Sequence, residues 1–314
     1  GELNDIGSNV VFGGSDLFVA ESDESDRSLL YLKPLAAIVT NVEFEHPDFY
    51  ASLDDVVSTF EKFVQTLPKS GHLVVCADDT NCLRLAATAP CAVTTYGLSA
   101  GDLRATILSP NSYTLLESGE ERGVVELGVY GRHNVLNSLA AAGIARWLGL
   151  DAYRAAASLA TFSGVRRRFQ FKGERGEVRV VDDYAHHPTE LAATLEVARA
   201  TRREHGRVIA VFQPHRYSRT RSLYREFGEA LTLADAVLVT DVYGAGEMPQ
   251  PGVSGKLVVD AVCESPYHPD VYYIPDQHDI PHVLRTIAEP EDTVLTMGAG
   301  DISRVGDELL SMLG

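Results

Sequence analysis

The sequence is poor in long apolar runs, in cysteine and in basic residues, and each shortage removes a class of protein. No uninterrupted apolar stretch in the 314 residues approaches the roughly 20 needed to span a bilayer, so the chain reads as soluble. Cys76, Cys82, Cys91 and Cys263 are the only cysteines, and no two form a CxxC pair. They are too few for a disulfide framework and give no zinc spacing, which fits buried thiols in a reducing cytoplasm. Lysine and arginine number 27 against 44 acidic residues, a formal net charge of −17. Such a balance argues against general nucleic-acid binding, because a polyanion needs a basic face to release its counterions. The opening GELNDIGSNV has neither a basic n-region nor an apolar h-region, so no secretory signal is read there. Internal repeats and low-complexity tracts are also missing.

What is present is an α/β pattern long enough for two domains, with the 45% apolar content of a globular chain. In the second half, short apolar runs VRVVD, RVIAVFQP, DAVLVTD, DVYYIP and DTVLTMGAG end in Gly, Pro or polar residues. Helical periodicity lies between some of them, as in PTELAATLEVARAT and RSLYREFGEAL. Strands alternating with helices predict a parallel, doubly wound sheet whose ligands bind at the strands' carboxyl ends. The polar clusters DDYAHH, QPHRYSR, DVYGAGE and MGAGD all fall at those ends. The first half is also α/β: strands are expected at LFVAE, AAIVTNVE, HLVVCAD and AVTTYG, with a helix over SLDDVVSTFEKFVQTL. An antiparallel hairpin is expected from ATILSPNSYTLLES and RGVVELGVYG, then helices over GRHNVLNSLAAAGIARWLGL and DAYRAAASLATF. SGV at 163–165 is the expected hinge. The fold class expected is therefore two α/β domains, 1–163 and 164–314, each a mainly parallel sheet flanked by helices.

The chemistry-bearing residues concentrate in a few places. VAESDESD places Glu21 at the end of an apolar run, with Asp23, Glu24 and Asp26 behind it. TNVEFEHPDFY puts Asn41, Glu43, Glu45 and His46 at the mouth of another. Acidic groups at neighbouring strand ends suit a hard cation such as Mg²⁺ with nucleotide phosphates, although an imidazole fits Mg²⁺ less well; water-facing acidic loops are an equal alternative. No GxxxxGK[ST] phosphate loop occurs: in PQPGVSGKL, Gln250 stands where the first glycine belongs, and GAGDIS has Ser303 in place of a third glycine. Two arginine clusters, GVRRRF and HRYSRTR, point to a carboxylate or phosphate pocket in so acidic a chain. VDDYAHHPTE, taken alone, allows a metal site, a catalytic base or a polar turn.

Taken together, VAESDESD, TNVEFEHPDFY, YGRHNVLNSLAAAG, SGVRRRFQFKG, VDDYAHHPTE, FQPHRYSRTRSLYREF, DVYGAGEMPQPG and MGAGDIS occur in an order and spacing that resembles the Mur ligases. The resemblance covers essentially the whole sequence. It implies a central ATP domain that begins just after its phosphate loop, followed by a C-terminal Rossmann-like amino-acid domain. It also implies ATP-dependent amide formation between L-alanine and the lactyl carboxylate of UDP-N-acetylmuramate through an acyl phosphate, in the cytoplasm, by a monomer or homodimer.

The same resemblance assigns residues. Glu21 and His46 match Mg²⁺ ligands, and Asn41 lies at the phosphates. His133, Asn134 and Asn137 match the adenine pocket, where the plain alternative is helix capping. Arg168, and with it Arg167, matches the arginine that reaches the nucleotide from the C-terminal domain, so that domain closure assembles the site. Asp183 matches the ribose-holding carboxylate. Tyr184 and His186 match the amino-acid lining, and Arg216 and Arg219 match the pair that grips the amino acid's carboxylate. Arg168 and His186 are the expected catalytic groups. His187, which precedes Pro188, reads as structural, and Asp182 is left without a role. Rival readings are a murein tripeptide recycling ligase, against which HRYSRTR speaks, a nucleotide-binding module without catalysis, and a metal hydrolase built on DDYAHH and His46.

Overall fold

A computed structural model describes residues 1–46, 49–266 and 269–314. The chain forms two compact units, one of Val10–Ser163 and one of Gly1–Asn9 with Gly164–Gly314. The division falls inside the SGV stretch. Residues 1–9, which the sequence pattern groups with the first domain, pack instead with the second unit: Leu3 bridges to Val165, and Glu2 pairs with Arg166 at 3.0 Å.

The first unit is a six-stranded sheet in simple sequential order: β1 (Ala36–Val39), β2 (His72–Cys76), β3 (Ala92–Gly97), β4 (Leu103–Ser109), β5 (Ser112–Glu117) and β6 (Glu120–Glu126). The strands from β1 to β4 pair in parallel, and β4 to β6 are antiparallel. This differs from the expected single hairpin, because ATILSPNSYTLLES itself turns at Pro110–Asn111 and supplies both β4 and β5. α1 (Leu53–Val64) starts where the Ser52 side chain accepts from the Asp55 amide, and α2 (Thr80–Thr88) where Asp79 accepts from the Cys82 amide. α3 (Arg132–Trp147) and α4 (Ala152–Ala157) follow the sheet. The strand expected over LFVAE does not form: Phe18 and Val19 are 91% exposed. An apolar alternation makes a strand only when a neighbour supplies the ladder, and none of the described residues does so there.

The second unit has the strand order β11-β10-β9-β12-β8-β7, from β7 (Gln170–Arg175), β8 (Val178–Asp183), β9 (Val208–Phe212), β10 (Ala236–Val239), β11 (Asp270–Tyr273) and β12 (Thr293–Met297). All pairs are parallel except β7 with β8, an edge the sequence pattern does not reveal. VIAVF of β9 explains why this sheet is covered on both faces. Val208, Ala210 and Phe212 pack with α5 (Pro188–Thr201), α6 (Tyr217–Leu231) and α7 (Gly255–Glu264). Ile209 and Val211 pack on the opposite side with α8 (Ile280–Ile287) and α9 (Ser303–Met312). A period of two with every residue apolar is what a doubly covered strand requires. Each such side chain contributes about 1.5–3 kcal/mol when fully buried. Because β12 inserts between β8 and β9 while its following helix lies on the other face, the connections diverge around its carboxyl end. A crevice opens at such a switch point.

Candidate active site

At the carboxyl end of β1, the chain runs through Asn41 to His46. Asp79 accepts from the Val42 amide at 3.2 Å while capping α2, and Asn81 donates to the Val42 carbonyl at 3.0 Å. This anchoring brings Glu45 and His46 up to Glu24. One ligand atom from each of Glu24, Glu45 and His46 lies within 4.8 Å of the others. His46 Nε2 lies 3.7 Å from Glu24 Oε1 and 3.9 Å from Glu45 Oε2. The Glu24 backbone is anchored from a distant segment, since the buried Tyr50 hydroxyl donates to the Glu24 carbonyl at 2.8 Å. Arg27 stacks over the Tyr50 ring at 4.7 Å and pairs with Asp55 at 2.9 Å. His46 itself sits at φ 56°, a sparsely populated conformation for a residue with a side chain.

The cluster fits a divalent cation. Burial raises the Glu24 carboxyl above its ordinary value, and the carboxylates of Glu45 and Asp23 add to that rise against the opposing pull of its own amide and His46. A metal would offset the cost of crowding these acids. Glu21, the expected ligand, is exposed and outside this group, whose carboxylates are Glu24 and Glu45. The acidic run is dense enough that sequence alone does not tell which member lies beside Glu45 and His46; in the structure it is Glu24, whose backbone carbonyl is anchored by Tyr50. Pro47 and Asp48 of the same motif lie outside the described residues. Asn41 is exposed and donates to Glu43 at 3.3 Å. At the start of α3, Asn134 donates to the Tyr130 carbonyl at 2.7 Å and contacts His133 Nε2 at 3.1 Å, with Asn137 exposed one turn on.

In the second unit, VDDYAHHPTE becomes the end of β8 and the start of α5. Asp182 is 1% exposed, accepts from Thr296 at 2.7 Å and pairs with Arg167 Nε at 3.0 Å. Asp183 accepts from the Phe169 and Ala185 amides, both at 2.7 Å. Burial still dominates and pushes its carboxyl up to about 6. His187 is the N-cap of α5 with Pro188 behind it, and Glu190 accepts from the amides of both His186 and His187 at 2.9 and 3.2 Å. Burial would raise Glu190, but the His186 ring and these amides outweigh it and hold the acid below its usual value.

Across the crevice, the turn after β9 carries QPHRYSR. Its turn brings His215 beside His186, ring centroids 5.8 Å apart, and Tyr184 packs edge-on to His186 at 5.3 Å. Tyr243, from the loop after β10, stacks on His215 at 5.7 Å with planes 10° apart. Arg219, 7% exposed, contacts His215 Nδ1 at 3.2 Å. Arg216 is half-buried and adopts φ 68° at the head of α6, where its amide donates to the Tyr243 carbonyl at 2.8 Å. Burial, followed by the Arg219 charge, pushes His215 down to about 4, leaving a neutral ring among cations. Glu247 accepts from the Ser218 amide at 2.9 Å and closes the 241–253 loop onto α6. The wall beside this group is an open polar cleft of about 540 Å³ whose lining includes Gln213, Asp241, Tyr243, Gln277 and Asp301. His215 and Tyr243 are the site residues the sequence pattern does not single out, although both lie in its QPHRYSR and DVYGAGE clusters.

Of the two arginines expected at the nucleotide, Arg168 is exposed, with Glu190 at 3.5 Å. Arg167 turns inward and spends its guanidinium on protein acceptors: Asp182, the Gly300 carbonyl at 3.0 Å and the Gly298 carbonyl at 2.6 Å.

A doubly wound unit with arginines and histidines at its switch point, joined in sequence to a unit with an acid-imidazole cluster at a sheet edge, is the class of architecture found in the Mur ligases, and the chain belongs to that family. Residues 3–145 match the family described as the Mur ligase middle domain, and residues 167–300 that described as Mur ligase, glutamate ligase domain. A relative from Rubrobacter xylanophilus, named UDP-N-acetylmuramate--L-alanine ligase, is 71% identical over 313 residues, covering 100% of this chain and 70% of its own length. The crystal structure of UDP-N-acetylmuramate-alanine ligase from Thermotoga maritima shares 28% identity and a TM-score of 0.75, over 92% of this chain and 62% of that one. A MurF ligase of the same organism, solved in complex with ADP, shares the fold at 20% identity and TM-score 0.71, over 89% of this chain and 62% of its own. The chain thus spans roughly two thirds of these relatives.

Proposed function

We propose that this chain supplies the cation-holding, nucleotide-holding and amino-acid-holding parts of an ATP-dependent ligase that joins L-alanine to the lactyl carboxylate of UDP-N-acetylmuramate. The observation that carries this reading is the 71% identity, along the whole chain, to a relative of that name; the geometry of the second unit fits it. In the first step, a carboxylate oxygen of the sugar nucleotide bonds to the γ-phosphorus of ATP as the bond to the bridging oxygen breaks, giving ADP and an acyl phosphate. Glu24, Glu45 and His46 would hold Mg²⁺, which supplies charge neutralisation at the phosphates. Asn41 serves the phosphates, and His133, Asn134 and Asn137 the adenine. Asp183 accepts from the ribose, and Arg168 offers a guanidinium to the phosphoryl oxygens.

In the second step, the neutral amine of L-alanine attacks the acyl carbon, and inorganic phosphate leaves with the bonding electron pair from the tetrahedral intermediate. Arg216 and Arg219 pair with the alanine carboxylate. Tyr184, His186, His215 and Tyr243 pack ring against ring beside these arginines and line the amino-acid site. His186 Nδ1 lies 3.0 Å from the Tyr184 carbonyl. A carbonyl only accepts, so that nitrogen carries the proton and Nε2 is the basic atom able to take one from the attacking amine. The test is ADP release by the gene product that carries this chain, with each substrate omitted in turn. Release that requires both L-alanine and UDP-N-acetylmuramate is expected; release independent of L-alanine, or supported better by a murein tripeptide, overturns the reading.

A further inference from the structure

We propose that Arg167 is a positioning residue that clasps the amino-acid wall to the nucleotide-facing turn, and that it does not bind nucleotide itself. This rests on the function proposed above and departs from the role that position suggests in the sequence. All three guanidinium nitrogens are engaged: Nε with Asp182 at 3.0 Å, Nη1 with the Gly300 carbonyl at 3.0 Å and Nη2 with the Gly298 carbonyl at 2.6 Å. Its carbon lies 5.0 Å from the centroid of the Tyr184 ring, and its carbonyl accepts from the Tyr184 amide at 2.7 Å. Its own amide donates to Gln170 at 2.9 Å. One side chain therefore fixes the end of β8, the turn after β12 and the strand-entry turn from which Arg168 projects.

The backbone agrees with a built clasp. Arg167 and Phe169 both take left-handed conformations, at φ 60° and 46°, which non-glycine residues hold only when surroundings over-determine them. The partner acid is fixed independently, because Thr296, fully buried, donates to Asp182 at 2.7 Å. A carbonyl pair plus a carboxylate is a three-acceptor arrangement that the planar fork of arginine matches and a lysine ammonium cannot reproduce. Gly300 completes the fit: a Cβ there would lie 2.3 Å from Gln213 Oε1 and 2.8 Å from the Tyr243 ring, so the clasped turn packs directly against the residue that stacks on His215. Disturbing Arg167 thus moves Arg168 on one side and Tyr184 with Tyr243 on the other.

The experiment compares Arg167→Lys with Arg168→Ala in the gene product that carries this chain, reading KM for ATP, KM for L-alanine, kcat and Tm. Arg167→Lys is expected to raise both KM values by roughly tenfold, the scale of one lost charge-assisted hydrogen bond, whereas Arg168→Ala acts on ATP and kcat and spares L-alanine. A rise for ATP alone in Arg167→Lys would make it a nucleotide ligand and overturn the proposal, as would unchanged constants. Should Arg167→Lys fold poorly, Thr296→Val loosens Asp182 while leaving the arginine in place and is expected to raise both KM values in the same direction; unchanged constants in that variant count against the clasp. Amide hydrogen exchange separates this idea from the function reading. Faster exchange across 167–170, 184–185 and 298–301 together, in Arg167→Lys but not in Arg168→Ala, supports the clasp even in a protein that does not use L-alanine. Faster exchange confined to 167–170 refutes it.

Discussion

Arg219 approaches His215 with Nη1 3.2 Å from Nδ1. A guanidinium can only donate, so Nδ1 must be the bare nitrogen of a neutral imidazole, in agreement with the ring being pushed down to about 4. The histidine therefore aims the arginine, and Arg216 and Arg219 are not equivalent.

The two arginines will separate in a stability measurement. Arg219 is 7% exposed and hydrogen-bonded within the fold, so Arg219→Ala is expected to cost about 1–3 kcal/mol of stability, through its own buried contacts and the half-buried His215 nitrogen it strands, as well as affinity for L-alanine. Arg216 is half-buried, and Arg216→Ala is expected to raise KM for L-alanine by roughly 10- to 100-fold, the range for one or two charged hydrogen bonds, while KM for ATP and Tm change little. Equal effects on both substrates would refute the assignment.

The five parallel strands of the second unit are legible in the sequence because each is an apolar run ended by Gly, Pro or a polar cluster, and because β8, β9, β10 and β12 all end in the polar groups that mark a sheet's carboxyl edge. What escaped depends on contacts between segments distant in sequence. β7 pairs antiparallel at the edge with half-buried residues and no clean alternation. LFVAE has the composition of a strand, but among the described residues no neighbouring strand pairs with it. Arg167 and Arg168 are neighbours with the same chemistry, and only the backbone turn at φ 60° sends one inward and the other out. That Glu24 and not Glu21 lies in the cluster with Glu45 and His46 was hidden for the same reason, since Tyr50, which anchors the Glu24 backbone carbonyl, is 26 residues away.

Glu24 and Glu21 make a direct comparison for the cation. Glu24→Gln keeps the size of the side chain but removes a charge from the cluster with Glu45 and His46. It is expected to raise the Mg²⁺ concentration needed for half-maximal ADP release by roughly tenfold or more, the scale reached when a charged contact is lost. Glu21→Gln should shift it little. The reverse pattern in a Mg²⁺ titration would restore Glu21 as the ligand.

The 314 residues contain no GxxxxGK[ST] loop, the motif whose backbone amides and lysine cradle the β- and γ-phosphates. Expressed alone, this chain is expected to release no phosphate in the presence of ATP, UDP-N-acetylmuramate and L-alanine. Measurable release dependent on L-alanine would show that the phosphates are gripped by other groups.

Asp183 gives the pH dependence its sign. Burial pushes its carboxyl up to about 6 from an ordinary value of 3.8, so between these values the folded state holds a proton that the unfolded chain has released. Through this group, stability is greatest at low pH and falls as pH rises towards 6, after which its contribution is constant. With the ribose role proposed for Asp183, nucleotide binding runs the other way, because the ionised carboxylate accepts from a ribose hydroxyl while keeping the Phe169 and Ala185 amides at 2.7 Å, whereas the protonated acid loses an acceptor site. Calorimetric affinity for ATP is therefore expected to be flat above pH 7 and to weaken as pH falls through 6, approaching tenfold per unit in the limit of a single required ionisation. Asp183→Asn is neutral at every pH and should bind ATP weakly but without that slope. A slope retained in Asp183→Asn would place the titrating group elsewhere.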